Sequence, residues 1–251
     1  MLAALVELAP AGFEQVDGEG FVEFGLYGPP GELPAFPTGE AEVAGARVCV
    51  SGTPVAHDWA HRWREFHEPV LVGDRAWIRP PWADPLPGAL DVAIDPAQAF
   101  GTGAHPTTRL TLELLLGLEA DGPLTDLGCG SGVIAIAAAR LGFAPVTAVD
   151  NDRAAVEATL ANAAANGVSL ARVEQLDLRH QAAPLAPVVT ANLVRPLLLV
   201  VAARTPERPD TMIVSGLLEG EEEEVAAAFA PLREHRRLQM QGWSACLLCR
   251  S

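Results

Sequence analysis

Leu124-Thr-Asp-Leu-Gly-Cys-Gly-Ser-Gly132 is the stretch on which the fold turns. A short apolar run ends in Asp126. Glycines follow at alternate positions: Gly128, Gly130 and Gly132. The next eight residues, Val133-Ile-Ala-Ile-Ala-Ala-Ala-Arg140, read as a buried helix. Strand, glycine loop and helix in this order build a nucleotide-cofactor site. Glycine lets the backbone approach a ligand closely, and a helix start offers unpaired N–H groups. The spacing narrows the cofactor. A dinucleotide fingerprint needs glycine at its first, third and sixth positions. Here the sixth position is Val133, and the third glycine arrives one residue early.

The segments downstream extend this unit. Ala144-Pro-Val-Thr-Ala-Val-Asp150 reads as a second parallel strand, with Asp150 at its C-terminal end, 22 residues after Gly128. Open α/β sheets bind ligands beyond the C-terminal ends of their strands. A carboxylate there can accept both hydroxyls of a ribose, each bond contributing roughly 1.5–3 kcal/mol. Residues 151–167 form an alanine-rich helix stopped by Asn166-Gly167. Strands are expected at 173–178, 187–193 and 211–218, the last ending in a Ser-Gly-Leu-Leu turn. Residues 238–241 and 243–250 read as a closing hairpin. Glu221 to Glu224 begin a helix, where their charge suits the dipole. Strands alternating with helices give an α/β fold with a doubly wound, mostly parallel sheet.

The D-x-G-x-G-x-G form of residues 126–132 resembles the first motif of the Rossmann-like S-adenosylmethionine methyltransferases. That resemblance implies a seven-stranded sheet, S-adenosyl-L-methionine as cofactor, and a cofactor site at Asp126, Gly128, Gly130 and Asp150. It also suggests that Asp177 reaches the adenine, although Asp177 suits a turn cap equally well. In this superfamily the end of the fourth strand surrounds the reacting methyl, which places Asn192 there as a cofactor-binding and catalytic residue. Methylators of nucleobases and glutamine amides usually show Asn or Asp, then Pro-Pro and an aromatic. Here the run is Asn192-Leu-Val-Arg-Pro196, so a flat acceptor is disfavoured.

A second stretch narrows the family. Ile94-Asp-Pro-Ala-Gln-Ala-Phe-Gly-Thr-Gly-Ala-His-Pro-Thr-Thr-Arg109 is rich in small residues and precedes a helix expected at 110–118, which Thr107 or Thr108 can cap. It resembles the D-P-x-x-A-F-G-T-G-x-H-x-T-T signature of the methyltransferases that modify protein eleven of the large ribosomal subunit. The matching residues are Asp95, Pro96, Ala99, Phe100, Gly101, Thr102, Gly103, His105, Thr107 and Thr108. In that family this loop lies against the cofactor, and the residue matching Thr107 touches it. His105 is read as a capping residue rather than a catalyst. The implied reaction moves methyl groups to lysine or α-amino nitrogens by in-line displacement, with no nucleophile–His–acid set. The alternatives are a methyltransferase for another protein or a small amine, and a non-catalytic cofactor-binding module.

Composition bounds these readings. The chain has 251 residues, is 49% apolar and carries a formal net charge of −15. That charge argues against phosphate-backbone binding and suits a cationic partner. All 17 basic residues are arginine, so the chain offers no lysine of its own as an acceptor. No apolar run reaches about 18 residues, and the N-terminus lacks a basic leader, so a cytoplasmic monomer without membrane attachment is expected. The four cysteines are read as reduced: the lone Cys246-x-x-Cys249 has no second pair to complete a zinc site, and no metal is expected.

Three segments are expected. Residues 1–55 form a small α/β, ferredoxin-like unit with a helix at 2–8 and strands at 20–27 and 44–50. The family's corresponding domain begins with a strand and docks the ribosomal protein; this chain begins at the helix, so the unit reads as incomplete. Residues 56–68 read as a linker helix with an apolar stripe of Trp59, Trp63 and Phe66. Its His57 and His61 have metal spacing but no third ligand. Residues 69–251 form the methyltransferase domain, opened by a small antiparallel addition at 69–94.

Overall fold

The computed structural model describes residues 14–18, 21–25, 39–43, 46–51, 68–95 and 103–250. The chain divides into two compact units, Met1–Ala60 and His61–Ser251. The first contains two antiparallel ribbons, β1 (Glu14–Gly18) with β2 (Phe21–Gly25), and β3 (Gly39–Val43) with β4 (Ala46–Val50). The second strand of each ribbon is legible as alternating sequence, whereas β1 and β3 are not. The helices expected at 2–8 and 57–67 lie outside the described residues.

The second unit opens with β5 (Val70–Val72), β6 (Ala76–Arg79) and β7 (Leu90–Ala93). The addition is not all antiparallel as expected. β5 and β6 are antiparallel, but β6 and β7 run parallel. The proline-broken stretch 80–89 does not make a hairpin. It carries the chain back to the start of β6, where Leu90 N–H donates to Arg75 O (2.8 Å); at the other end of β6, Arg79 pairs with Asp91 (2.6 Å).

The main sheet contains β8 (Leu124–Leu127), β9 (Val146–Asp150), β10 (Arg172–Gln175), β11 (Val188–Asn192), β12 (Thr211–Leu218), β13 (Arg233–Met240) and β14 (Trp243–Cys249). Its order is β10-β9-β8-β11-β12-β14-β13. The first five strands are mutually parallel, and the last two are antiparallel. The helices are α1 (Pro106–Leu116), α2 (Val133–Leu141), α3 (Arg153–Ala165), α4 (Arg195–Arg204) and α5 (Glu222–Ala228).

Successive strand residues point to opposite faces, and the core splits accordingly. Leu124, Ala148, Ile213 and Leu247 join one apolar cluster with Leu112 of α1, Ile136 of α2 and Ala163 of α3. Leu127, Val149, Val214 and Leu248 join the other, with Leu198 of α4 and Val225 of α5. Both faces are thus covered, the condition for a parallel sheet. The sequence reading lacks α4, because the unbroken apolar run at 197–203 shows no helical period; Pro196 stands in its first turn.

Several boundaries also move. β10 stops at Gln175, short of the expected Leu178, and β13 begins at Arg233 rather than Leu238. The Ser-Gly-Leu-Leu segment is not a turn. It lies inside β12 as a bulge between Ser215 and Leu217, with Gly216 at φ 83°. Glu222 is not a surface charge of the helix start. It is buried, and its carboxylate accepts from Ser244 Oγ (2.6 Å), Gln239 Nε2 (3.0 Å) and Gly220 N–H (2.6 Å). Burial alone would raise this carboxyl, but these hydrogen bonds outweigh it and hold the group at about 2.

Candidate functional site

β8 and β11 are neighbours from which the chain winds outward in opposite directions, so the crevice beyond their C-terminal ends is the topological switch point. The glycine loop leaves β8 there. Gly128 and Gly130 have φ of 75° and 53°, and Gly132, at φ 84°, is the residue before α2. A Cβ on Gly132 would stand 2.9 Å from Thr159 Cγ2 and 3.1 Å from its Cα. A Cβ on Gly128 would collide with the Leu193 side chain. The loop is tied down by its own amides: Gly128 and Cys129 N–H donate to Val149 O at 2.8 and 3.0 Å.

Asp150 stands at the end of β9, as expected. Its Oδ2 accepts from Gly130 N–H (2.9 Å) and its Oδ1 from Asp152 N–H (3.0 Å). It is half-buried, so each oxygen retains a lone pair for an incoming donor. Asn192 ends β11 opposite Ser215 of β12. Its side chain makes no hydrogen bond among the described residues. The next residue, Leu193, is gripped on both sides. Its side chain closes on Gly128, and its backbone lies against Gly216, where a Cβ would stand 2.7 Å from the Leu193 carbonyl carbon. Leu193 N–H donates to Ser215 O (3.0 Å).

Asp126 lies within β8 and is fully buried. Oδ1 accepts from Thr190 Oγ1 (2.7 Å), and Oδ2 has no hydrogen-bond partner. Burial pushes this carboxyl up to about 7, and the nearby Asp150 charge adds to the rise; Thr190 and the Ala135 amide act in the opposite sense. Because the folded protein holds this proton more tightly than the unfolded chain, folding takes up a proton between the ordinary value of 3.8 and about 7. The ligand-free protein should therefore lose stability as pH rises through that window, by at most a few kcal/mol. Melting curves from about pH 5 to about pH 8 should show the fall, and Asp126→Asn should flatten it. An equal slope in the variant would place the titrating group elsewhere.

The helix cap differs from expectation. Neither Thr107 nor Thr108 caps α1; both are buried inside its first turn, and His105 is the N-cap. Pro106 fixes the first helical position, which moves the cap to His105, two residues before Thr107. Thr107 N–H donates to His105 Nδ1 (3.3 Å), and the Thr107 hydroxyl lies 2.8 Å from the same nitrogen. The bonding requires a lone pair at Nδ1, so the neutral ring carries its proton on Nε2. Burial lowers the His105 pKa, in keeping with this, and Trp243 meets the ring edge-on at 5.1 Å. Thr107 O accepts from Thr111 (2.8 Å) and from Ser215 Oγ (3.2 Å), which joins α1 to the bulge of β12. Residues 96–102 of the signature lie outside the described residues.

Asp177 makes the contacts of a turn cap. It lies beyond β10, accepts from Arg179 N–H (2.9 Å) and Arg179 Nε (2.8 Å), and its pKa is lowered by that pairing. The Cys129 thiol is buried in the loop and pushed up to about 12, leaving it uncharged.

A glycine loop at the switch point of this sheet, with an acid ending the next strand, defines a Rossmann-like doubly wound domain of nucleotide-cofactor type. The family described as Ribosomal protein L11 methyltransferase (PrmA) matches residues 46–251. The chain belongs to that family. Among its relatives, Ribosomal protein L11 methyltransferase of Shewanella pealeana is 41% identical over 178 residues, covering 69% of this chain and 61% of the relative. The Klebsiella pneumoniae protein of the same name is 41% identical over 180 residues, covering 70% and 61%. The chain thus spans about 61% of the length of these curated relatives. The crystal structure of ribosomal protein L11 methylase from Lactobacillus delbrueckii subsp. bulgaricus shares the fold, with TM-score 0.66 and 24% identity over 74% of this chain and all of that one.

Proposed function

We propose that this chain binds S-adenosylmethionine over the Gly128–Gly132 loop and transfers methyl groups to lysine or α-amino nitrogens of large-subunit ribosomal protein eleven. The observation that carries the reading is the meeting of three features at one switch point: the Gly128 close approach, the Asp150 carboxylate and the Asn192 side chain. The residues fit the cofactor. Asp150 offers lone pairs to ribose hydroxyls, and the orphaned oxygen of Asp126 favours a cation above the loop. When bound, the cofactor supplies a methyl on a positively charged sulfur, so the leaving group is already activated.

The chain's own residues then have little proton chemistry to perform. His105 is occupied as a cap, and the acceptor nitrogen must arrive unprotonated. The Asn192 Oδ1 accepts an N–H of the incoming amine and aims its lone pair at the methyl. Positioning of this kind supplies up to about 7–11 kcal/mol. Asp126 is fully buried, so it acts on the cofactor through space and not by contact, and the positive sulfur favours its charged form. Thr107, which matches the cofactor-touching residue of the signature, lies against the cofactor and is held there by His105 and Ser215.

Residues 1–55 act as the docking unit, 56–68 as linker and 69–251 as the catalytic domain. The net charge of −15 supports a strongly basic partner, drawn in by long-range attraction. The protein acts as a cytoplasmic monomer and makes no nucleic-acid contact of its own. Labelled S-adenosylmethionine offered with the ribosomal protein tests the whole reading. Transfer of label to amine nitrogens is the expected result, and cofactor binding without transfer would reject the substrate. Asn192→Ala should slow transfer roughly tenfold to a hundredfold while cofactor affinity stays within about twofold. Unchanged turnover would remove Asn192 from its role.

A further inference from the structure

The helix α3 carries an unusual stripe. It is alanine-rich, yet two polar side chains on one face and that of its C-cap are buried: Thr159 at 0%, Asn162 at 4% and Asn166 at 8% exposure. Their spacing of three and four residues puts them on one line of the helix. Each is engaged in hydrogen bonds. Thr159 Oγ1 donates to Gly130 O (3.0 Å). Asn162 Nδ2 donates to Ser131 O (2.9 Å), and Asn162 Oδ1 accepts from Asp95 N–H (3.0 Å). Asn166 brackets Ala93, accepting from its N–H (2.9 Å) and donating to its carbonyl (2.6 Å).

Two of these rungs hold carbonyls of the glycine loop, and two hold the chain at the end of β7 and just beyond it. Asn162 alone holds both. We infer that Asn162 is a positioning residue, clamping the Ser131 carbonyl and the Asp95 amide to one amide group so that the glycine loop keeps the backbone shape that receives the cofactor. The inference rests on the cofactor reading above. Its physical basis is the planarity of the peptide unit: a carbonyl drawn toward α3 turns the following N–H away from it. A loop of glycines at positive φ cannot fix such orientations by sterics, because glycine populates these regions freely. External hydrogen bonds must fix them. Apolar residues would pack α3 as well but would leave the loop carbonyls unpaired in a buried setting.

The test compares two rungs. Asn162→Ala and Asn166→Ala each remove buried amide bonds from α3, but only the first touches the glycine loop. Binding of S-adenosylhomocysteine is measured by titration calorimetry, alongside the melting temperature. Asn162→Ala should bind about tenfold more weakly, the upper end of what one hydrogen bond contributes. Asn166→Ala should melt earlier and bind like wild type. Amide exchange at residues 129–132 should quicken in Asn162→Ala and not in Asn166→Ala. Thr159→Val, nearly isosteric, removes the Gly130 rung and should also weaken binding, which keeps the test open if Asn162→Ala does not fold. Equal binding by wild type, Asn162→Ala and Thr159→Val would overturn the inference, as would equal weakening by Asn166→Ala. Absence of binding by wild type would instead overturn the cofactor reading itself.

Discussion

Asp150→Ala should lower affinity for S-adenosylhomocysteine by about a hundredfold or more, the largest binding loss of any single substitution in the crevice. Two effects add. The carboxylate is the acceptor proposed for the ribose hydroxyls, and hydrogen bonds to a charged group contribute roughly 1.5–3 kcal/mol each. It also accepts Gly130 N–H at 2.9 Å and Asp152 N–H at 3.0 Å, so its removal frees the loop at one end and the start of α3 at the other. Asp150→Asn keeps one acceptor oxygen but turns a donor toward either Gly130 or Asp152; it should bind between wild type and Asp150→Ala. Calorimetric titration of the three proteins gives the order. Binding by Asp150→Ala within about threefold of wild type would mean that the ribose is held elsewhere.

Gly216→Ala should be the most damaging small substitution for the fold and for transfer together. At φ 83° a residue with a side chain is strained by roughly 1–2 kcal/mol. The new methyl would also stand 2.7 Å from the Leu193 carbonyl carbon and 3.1 Å from its nitrogen. These are backbone atoms, which cannot swing aside as a side-chain tip can. Overpacking adds roughly 1–3 kcal/mol. The protein should melt about 5–15 °C lower. The displacement also has a direction. Leu193 follows Asn192, so relief of the clash moves the amide proposed to orient the acceptor. Transfer measured well below the melting point should fall while cofactor affinity changes little. A wild-type melting curve would show that the bulge yields freely.

β9 and β11 are legible because each is a short apolar run ended by a polar residue, Asp150 and Asn192. The glycine loop is legible because its residues are special in themselves. The supports of the site are not. Thr190 beneath Asp126 and Asn162 beneath Ser131 are ordinary polar residues whose roles depend on partners 64 and 31 positions away. Gly216 is visible in sequence only as a turn former, since the bulge exists through its pairing with β14. His105 is read correctly as a cap. The threonines proposed for that task are displaced by Pro106, a local rule that could have been applied beforehand. The parallel pairing of β6 and β7 is hidden because prolines mark a break in the chain without saying in which direction it returns.

Among the described residues, β10 and β13 are the outermost strands of the sheet, each with one side unpaired. An exposed strand edge is a template on which another chain can add. Both edges here resist that. β10 has only four residues, with Arg172 and Glu174 paired along it at 2.5 Å. β13 presents Arg233, Glu234, His235 and Arg236 to solvent and is broken by a register shift between Glu234 and Arg236. A strand approaching either side would meet charge it must desolvate, and along β13 a backbone out of step with its own. The charged side chains of β13 thus help to keep the sheet at seven strands.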